Sequence, residues 1–162
     1  GGQAGDAHGA AGYQCGRRRA ILRRMATRDD FPVLIPLTTR WADNDAYGHI
    51  NNVAYYAFFD TAVNQWLLRA GLLDIAHSPL IGLVVETGCR YRRPLSYPMP
   101  LEVGLRVARL GTSSVRYDVA VFGPDAPEAA AEGHFTHVYV RRETGRPEPI
   151  PEGMRAVFAT IS

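Results

Sequence analysis

A short polar segment near residue 45 carries the side chains best suited to chemistry. It reads RWADNDAYGHINN over residues 40–52, so two carboxylates, an imidazole and two adjacent amides lie close together along the chain. An aspartate held beside free backbone N–H groups could attack a carbonyl carbon or activate water, while those groups stabilise the oxyanion. Asp43 and Asp45 could equally be turn formers, and Asn51 an ordinary helix cap. Residue types alone leave both interpretations open.

The segments on either side of this loop are predicted to be a strand and a buried helix. Val33–Trp41 is apolar and β-branched, which indicates a strand. Asn52–Ala70 is apolar nearly all round, with Asn51 or Asn52 available to cap it and Gly71 to end it. Protein must surround such a helix, and the free N–H groups at its start carry partial positive charge.

Four segments with period-two alternation follow, and the short turns between them predict antiparallel hairpins. A short helix is expected at Gly153–Ile161, and the strands are Leu80–Arg92, Leu101–Leu110, Ser114–Phe122 and Ala129–Arg141. Only one helix is long enough to cover the sheet. We therefore predict an α+β fold in which a curved antiparallel sheet of about five strands wraps around one long central helix. The open sheet edges favour a dimer.

The basic excess of the chain is confined to one end. The net charge is +2 at pH 7, and all 18 basic residues are Arg. Residues 1–24 hold five Arg against one Asp, so the rest of the chain carries a net charge of −2. Because residues 25–162 carry no excess of basic side chains, a nucleic-acid partner is disfavoured. No apolar run is long enough to predict a membrane span.

The Gly-rich residues 1–24 precede Met25 and are expected to be a flexible tail, either a cloning remnant or an upstream extension, with a functional arm as the alternative. Residues 25–162 then form a single domain. Cys15 and Cys89 have neither metal-ligand spacing nor the density of a disulfide framework. We therefore expect no metal site and no cofactor, and a reducing cytoplasm as the location.

The segment TRWADNDAYGHINNVAYYAFFD closely resembles the signature of hotdog-fold acyl-CoA thioesterases of the 4-hydroxybenzoyl-CoA thioesterase type. In that family a strand runs into Asp-x-Asp-x-x-Gly-His-hydrophobic-Asn-Asn and then into the central helix. The later segments GCRYRRPL and LEVGLRVARLGTSSVRYDVAVF also look like family strands, so the resemblance spans Ile35–Arg141. It implies a hotdog fold and an acyl-CoA thioesterase that is a homodimer or homotetramer.

The resemblance also implies roles for single positions. Asp45 matches the family's catalytic carboxylate, as either nucleophile or general base, and the backbone N–H around Asn52 matches the donor that polarises the carbonyl. Gly48 would let the backbone approach the thioester closely. His49 and Asn51 would orient Asp45, the water or the thioester.

Further substrate contacts are expected later in the chain. Tyr55 is expected to be pocket wall or a polar contact. Glu86 shares a predicted strand face with Arg90 and Arg92, so it could form an internal ion pair or hold water near a partner's loop. Arg matches phosphate bidentately, so one or two of four side chains are expected to bind CoA phosphates: Arg90, Arg92, Arg93 and Arg116.

Two other acids and three other functions compete with this interpretation. Asp43 is expected to shape the loop, and Asp60 to be a hydrogen-bonded helix residue. Some branches of the family use a Glu or Gln of the central helix for catalysis, so a catalytic or dimer-contact role of Asp60 is the alternative. A calcium loop is excluded because Tyr47 occupies a ligand position and Ala54 replaces the terminal Glu. A dehydratase or hydratase, and a non-catalytic acyl-CoA sensor, remain the alternatives.

Overall fold

A computed structural model describes residues 24–162, and residues 1–23 of the predicted tail lie outside the described part. The elements in chain order are β1 (Val33–Thr38), α1 (Asn52–Arg69), β2 (Leu80–Tyr91), β3 (Pro100–Leu110), β4 (Ser114–Phe122), β5 (Ala131–Arg141) and α2 (Glu152–Ala159). The five strands form one sheet in the order β1-β3-β4-β5-β2, and every pairing is antiparallel. The predicted hotdog architecture is therefore confirmed.

Helix α1 lies against one face of the sheet, called here the inner face. Asn51 caps it, since Asn51 Oδ1 accepts a hydrogen bond from Val53 N at 3.0 Å. Gly71, with φ of +69°, lies past its end in the left-handed conformation that terminates helices. Its buried residues are Tyr55, Phe58, Phe59, Ala62, Val63, Trp66 and Leu67. This packing holds the start of α1, and with it the preceding loop, in place.

Strand β1 is shorter than the sequence predicts. The prediction extended it to Trp41, but it ends at Thr38, and Trp41–Asp43 form a single 3₁₀ turn. The Asp43 side chain accepts a hydrogen bond from Arg40 N at 2.6 Å and so closes this turn. Local bonding of an aspartate to its own backbone competes with strand pairing here.

The opposite face of the sheet, called here the outer face, is partly covered by residues 24–31. The ring of Phe31 lies over Gly104, where an added Cβ would be 2.6 Å from it. Phe31 also packs edge-on against Phe122, with ring centroids 5.9 Å apart. Ala26 N donates to Glu132 Oε1 at 2.8 Å. These contacts attach the first described residues to the sheet.

The two edge strands of the sheet differ in what they leave open. β1 carries Pro36, which has no N–H to offer another strand. β2 is 12 residues long and exposes Leu83, Val84 and Val85. A long apolar edge is therefore open on one side of the described chain.

No helix within residues 24–162 combines the length and apolar character needed to cross a bilayer.

Candidate active site

The loop between β1 and α1 is anchored at both ends to the segment that joins β2 and β3. At its start, Thr39 Oγ1 donates to Met99 O at 2.9 Å and accepts from Met99 N at 3.0 Å. At its end, Ile50 N donates to Leu95 O at 2.7 Å. Thr39, Ile50 and Leu95 are all buried, so the core sets the positions of both loop ends.

Asp43 is buried inside this loop and is fully engaged with Arg40. Its Oδ1 accepts from Arg40 Nη2 at 2.7 Å and Nε at 3.1 Å, and its Oδ2 accepts from Arg40 N. Burial by itself would raise the pKa of Asp43, but the hydrogen bonds and charge of Arg40 hold it below the ordinary value. The Asp43 carbonyl also accepts from Asn51 N at 2.8 Å. Asp43 therefore shapes the loop.

The Asp45 side chain is half-buried, and one of its two oxygens accepts hydrogen bonds. Its Oδ1 accepts from Tyr47 N at 2.8 Å and from His49 N at 3.2 Å. Gly48, at φ +79°, lets the chain reverse so that both N–H groups point at one oxygen. Within residues 24–162, Asp45 Oδ2 accepts no hydrogen bond. One oxygen thus fixes the side chain while the other is left for a ligand.

The start of α1 offers one backbone donor to the same region. Asn51 Oδ1 satisfies Val53 N, and Asn51 O accepts from Ala54 N at 2.9 Å. Asn52 N has no acceptor in the described part of the chain. The first helical N–H groups carry partial positive charge, so this free N–H can bind a carbonyl oxygen and stabilise an oxyanion.

Two aromatic side chains, Tyr91 and Tyr55, pack together beside the start of α1. Tyr91 of β2 donates from its hydroxyl to Asn52 O at 3.1 Å, and its ring packs on Tyr55 with centroids 5.1 Å apart. Tyr55 is buried, which raises its pKa to about 12, so its hydroxyl stays protonated at neutral pH. Tyr55 belongs to the hydrophobic core, and its predicted contact with the substrate stays a prediction. Tyr91, which the sequence analysis missed, could have been found as an inner-face residue at the end of β2.

His49 contributes to the loop through its backbone. Its N–H is one of the two donors to Asp45 Oδ1, and its carbonyl accepts from Asp45 N at 2.8 Å. The imidazole is exposed and makes no hydrogen bond within the described residues. The structure therefore brings Asp45, Gly48, His49, Asn51 and Asn52 together.

Glu86 lies elsewhere, among ion pairs of the sheet. It binds Arg116 Nη1 at 3.2 Å and His134 Nε2 at 3.1 Å. The internal ion pair predicted for Glu86 is therefore present, and its partners lie on β4 and β5. The β2–β5 register shifts between Val84 and Glu86, and Glu86 then pairs with Thr136, which on its other side pairs with Arg116. No hydrogen bond or ion pair joins Glu86 or Arg116 to the loop within residues 24–162.

The remaining arginines lie at the end of β2 that meets the helix start. Arg92 binds Glu132 at 3.0 Å, and Arg93 Nη2 donates to Glu128 O at 3.3 Å. Arg90 is exposed, has no ion-pair partner among the described residues, and lines an outer-face groove of about 710 Å³.

Asp60 is exposed on α1 and accepts from Asn64 Nδ2 at 3.0 Å. The described residues contain no cluster of three His, Cys, Asp or Glu that could hold a metal ion.

Comparisons with known proteins identify the family and the fold. Residues 39–158 match the family model of the thioesterase-like superfamily. The solved PA5185 protein of Pseudomonas aeruginosa strain PAO1 is 49% identical, with a TM-score of 0.82 over 85% of this chain and 96% of that one. No curated protein sequence matches the chain.

Two solved thioesterases share the fold. A thioesterase from Thermus thermophilus, solved with coenzyme A and Zn, is 29% identical, with a TM-score of 0.70 over 82% of this chain and 96% of that one. Slr0204, a 1,4-dihydroxy-2-naphthoyl-CoA thioesterase from Synechocystis, is 16% identical, with a TM-score of 0.70 over 78% of this chain and 94% of that one. At that identity the second likeness concerns the fold alone.

Proposed function

The chain belongs to the thioesterase-like superfamily and is a thioester hydrolase of the hotdog fold, and we propose that Asp45 is the carboxylate with which it hydrolyses an acyl-CoA to a free acid and CoA. One observation carries this proposal. A carboxylate fixed by one oxygen and open at the other shares its loop with a free N–H donor at the start of α1. These are the two groups that acyl transfer needs.

The same geometry serves two routes. As a general base, Asp45 Oδ2 takes a proton from a water whose oxygen bonds to the thioester carbon; the C–S bond then breaks and the proton passes to the CoA thiolate. As a nucleophile, Oδ2 bonds to that carbon and expels the thiolate, leaving a mixed anhydride that water hydrolyses. In both routes Asn52 N–H stabilises the charge that develops on the carbonyl oxygen.

Supporting residues hold these two groups in place. Gly48 allows the turn that aims two N–H groups at Asp45, and the His49 backbone supplies one of them. Asn51 occupies Val53 N with its side chain, so Asn52 N–H is the donor left for substrate. Tyr91 binds the Asn52 carbonyl on the other side of the same residue, which fixes the direction of its peptide groups.

We also propose that Arg90 and Arg93 bind phosphates of CoA. Arg90 directly precedes Tyr91 and Arg93 follows it by two residues; since Tyr91 contacts the first helical residue, both arginines lie at the end of β2 that is near the loop. Arg90 is exposed and makes no ion pair in the described chain, and Arg93 donates only to a backbone carbonyl. Arg92 and Arg116 are bound to Glu132 and Glu86, which lowers their capacity for a further anion.

The open edge of β2 supports a homodimer as the working unit. Leu83, Val84 and Val85 are exposed on a long edge strand that has a pairing partner on one side only. A second copy could extend the sheet there by antiparallel pairing about a two-fold axis. A cytoplasmic location is proposed with it, because the free thiol of Cys89 fits a reducing compartment.

The decisive experiment compares Asp45→Asn with the wild type on a panel of acyl-CoA thioesters, following release of the CoA thiol. We expect kcat/KM to fall by at least about 100-fold, the range for loss of a catalytic acid or base. Asp74→Asn is the matched control, since Asp74 Oδ1 also accepts two backbone N–H bonds in an exposed loop. It should leave kcat/KM unchanged.

Two results would contradict the proposal. Full activity of Asp45→Asn with loss of activity in Asp60→Asn would move the chemistry to the helix acid. A wild-type protein that binds acyl-CoA tightly and turns over none would identify a sensor instead of an enzyme.

A further inference from the structure

Apolar side chains are unusually exposed around Asp45. Tyr47, Trp41 and Val53 have 85%, 80% and 66% of their surface exposed and are three of the four most exposed large apolar side chains in the described chain. The fourth, Ile75, lies in the loop between α1 and β2. Exposed apolar side chains grouped along one short segment indicate a binding surface.

Trp41 is exposed but packs against a neighbouring aromatic residue. Its ring packs edge-on against Tyr97, with centroids 6.0 Å apart. Tyr97 N donates to Asn44 Oδ1 at 3.1 Å, and Asn44 N donates to Trp41 O at 3.3 Å. The aromatic pair is thus attached to the residue that precedes Asp45. A fixed aromatic side chain loses little conformational entropy when a ligand packs on it.

The other two side chains adjoin the reacting groups directly. Tyr47 donates its N–H to Asp45 Oδ1, so its ring extends from the turn that holds the carboxylate. Val53 follows Asn52, the residue with the free N–H. Exposed apolar side chains therefore adjoin, along the chain, both groups proposed to act on the thioester carbonyl.

We propose that Trp41 and Tyr47 bind the acyl group of the substrate and select thioesters with a large apolar acyl chain. This inference rests on the proposed function, which places the carbonyl between Asp45 and Asn52. The long pantetheine arm keeps the nucleotide of CoA away from that carbonyl, so only the acyl group and the thiol end of the arm reach this surface. The arm is rich in amides, which polar side chains would match, whereas Trp41 and Tyr47 present ring faces.

The test measures kcat/KM of wild type, Trp41→Ala and Tyr47→Ala on acetyl-, octanoyl- and benzoyl-CoA, and on the same acyl groups joined to N-acetylcysteamine. We expect each substitution to lower kcat/KM about tenfold for octanoyl and benzoyl thioesters and less than about threefold for acetyl thioesters. The acyl dependence should be the same with both thiols. Ile75→Ala is the control, since Ile75 is an apolar residue in another loop with 70% of its surface exposed, and it should show no acyl dependence.

Three results would overturn the inference. An equal loss on every acyl group would assign the surface to the pantetheine arm, and an unchanged kcat/KM would assign it no role in the reaction. A smaller oligomer of Trp41→Ala, measured by light scattering, together with a loss on all substrates, would assign it to a second copy of the chain. A wild type inactive on every thioester is a different failure, since it removes the proposed function itself.

Discussion

Asp43 and Asp45 lie two positions apart in one loop and carry the same side chain, but the fold gives them opposite environments. Asp43 is 2% exposed and both of its oxygens bind Arg40. Asp45 is half-buried, and one of its oxygens has no partner among the described residues. A carboxylate with every acceptor occupied serves structure, whereas one with an open oxygen is available for chemistry.

The largest effect on stability is expected from Asp43→Asn. An amide nitrogen in place of Oδ2 would face Arg40 N, so donor would meet donor, and the charged pair would be lost. We expect the free energy of unfolding to fall by about 2 kcal/mol in urea titrations. Arg40→Ala should lower the free energy of unfolding less than Asp43→Asn does, because the Arg40 side chain is 72% exposed. An Asp43→Asn protein as stable as wild type would remove the contrast between the two aspartates.

The difference in the free energy of unfolding between wild type and Asp43→Asn should also depend on pH. The pKa of Asp43 lies below its ordinary value, because the bonds to Arg40 outweigh the effect of burial. Its contribution is therefore fully present above the unfolded-state pKa of 3.8 and is lost as the pH falls through the lower folded-state value. Wild type and Asp43→Asn should converge in acid.

A smaller effect is expected from Gly48→Ala. An added Cβ would meet no atom within 4 Å, so the cost comes from the φ of +79° and should be about 1 kcal/mol. Relaxation of the turn would misdirect the N–H donors of Asp45, and kcat/KM should fall about tenfold. Gly145→Ala is the matched control, with φ +67° and equally free space in the turn after β5. It should lose the same stability and keep its activity.

The smallest effect on kcat/KM is expected from His49→Ala. The imidazole makes no hydrogen bond within residues 24–162, while the backbone N–H that holds Asp45 survives the substitution. We expect kcat/KM to fall by about threefold or less, since the donor to Asp45 is retained. A loss above about tenfold would mean that the imidazole itself contacts the substrate or the reacting water.

Local patterns predicted most of the fold correctly. The helix that is apolar on nearly every side is α1, and the alternating segments are the strands of the sheet. Asp43 as a loop-shaping residue was also predicted, because a short carboxylate bonds readily to its own backbone. An internal ion pair of Glu86 was predicted as well, but not its partners His134 and Arg116, since those contacts depend on cross-strand register. Register of that kind is decided by residues far apart in the chain.

By itself, the sequence determined the order of the elements and the loop that could carry the chemistry, because helix caps, turn residues and hydrophobic periodicity act over a few neighbouring residues. Only the tertiary structure decided which aspartate is open. Burial of Asp43 depends on how the loop ends pack on Leu95 and Met99, more than 40 residues away. The tertiary structure also decided that Tyr91 contacts the start of α1 and that Trp41 is exposed. Accessibility is a property of the whole packed chain, so no local pattern encodes it.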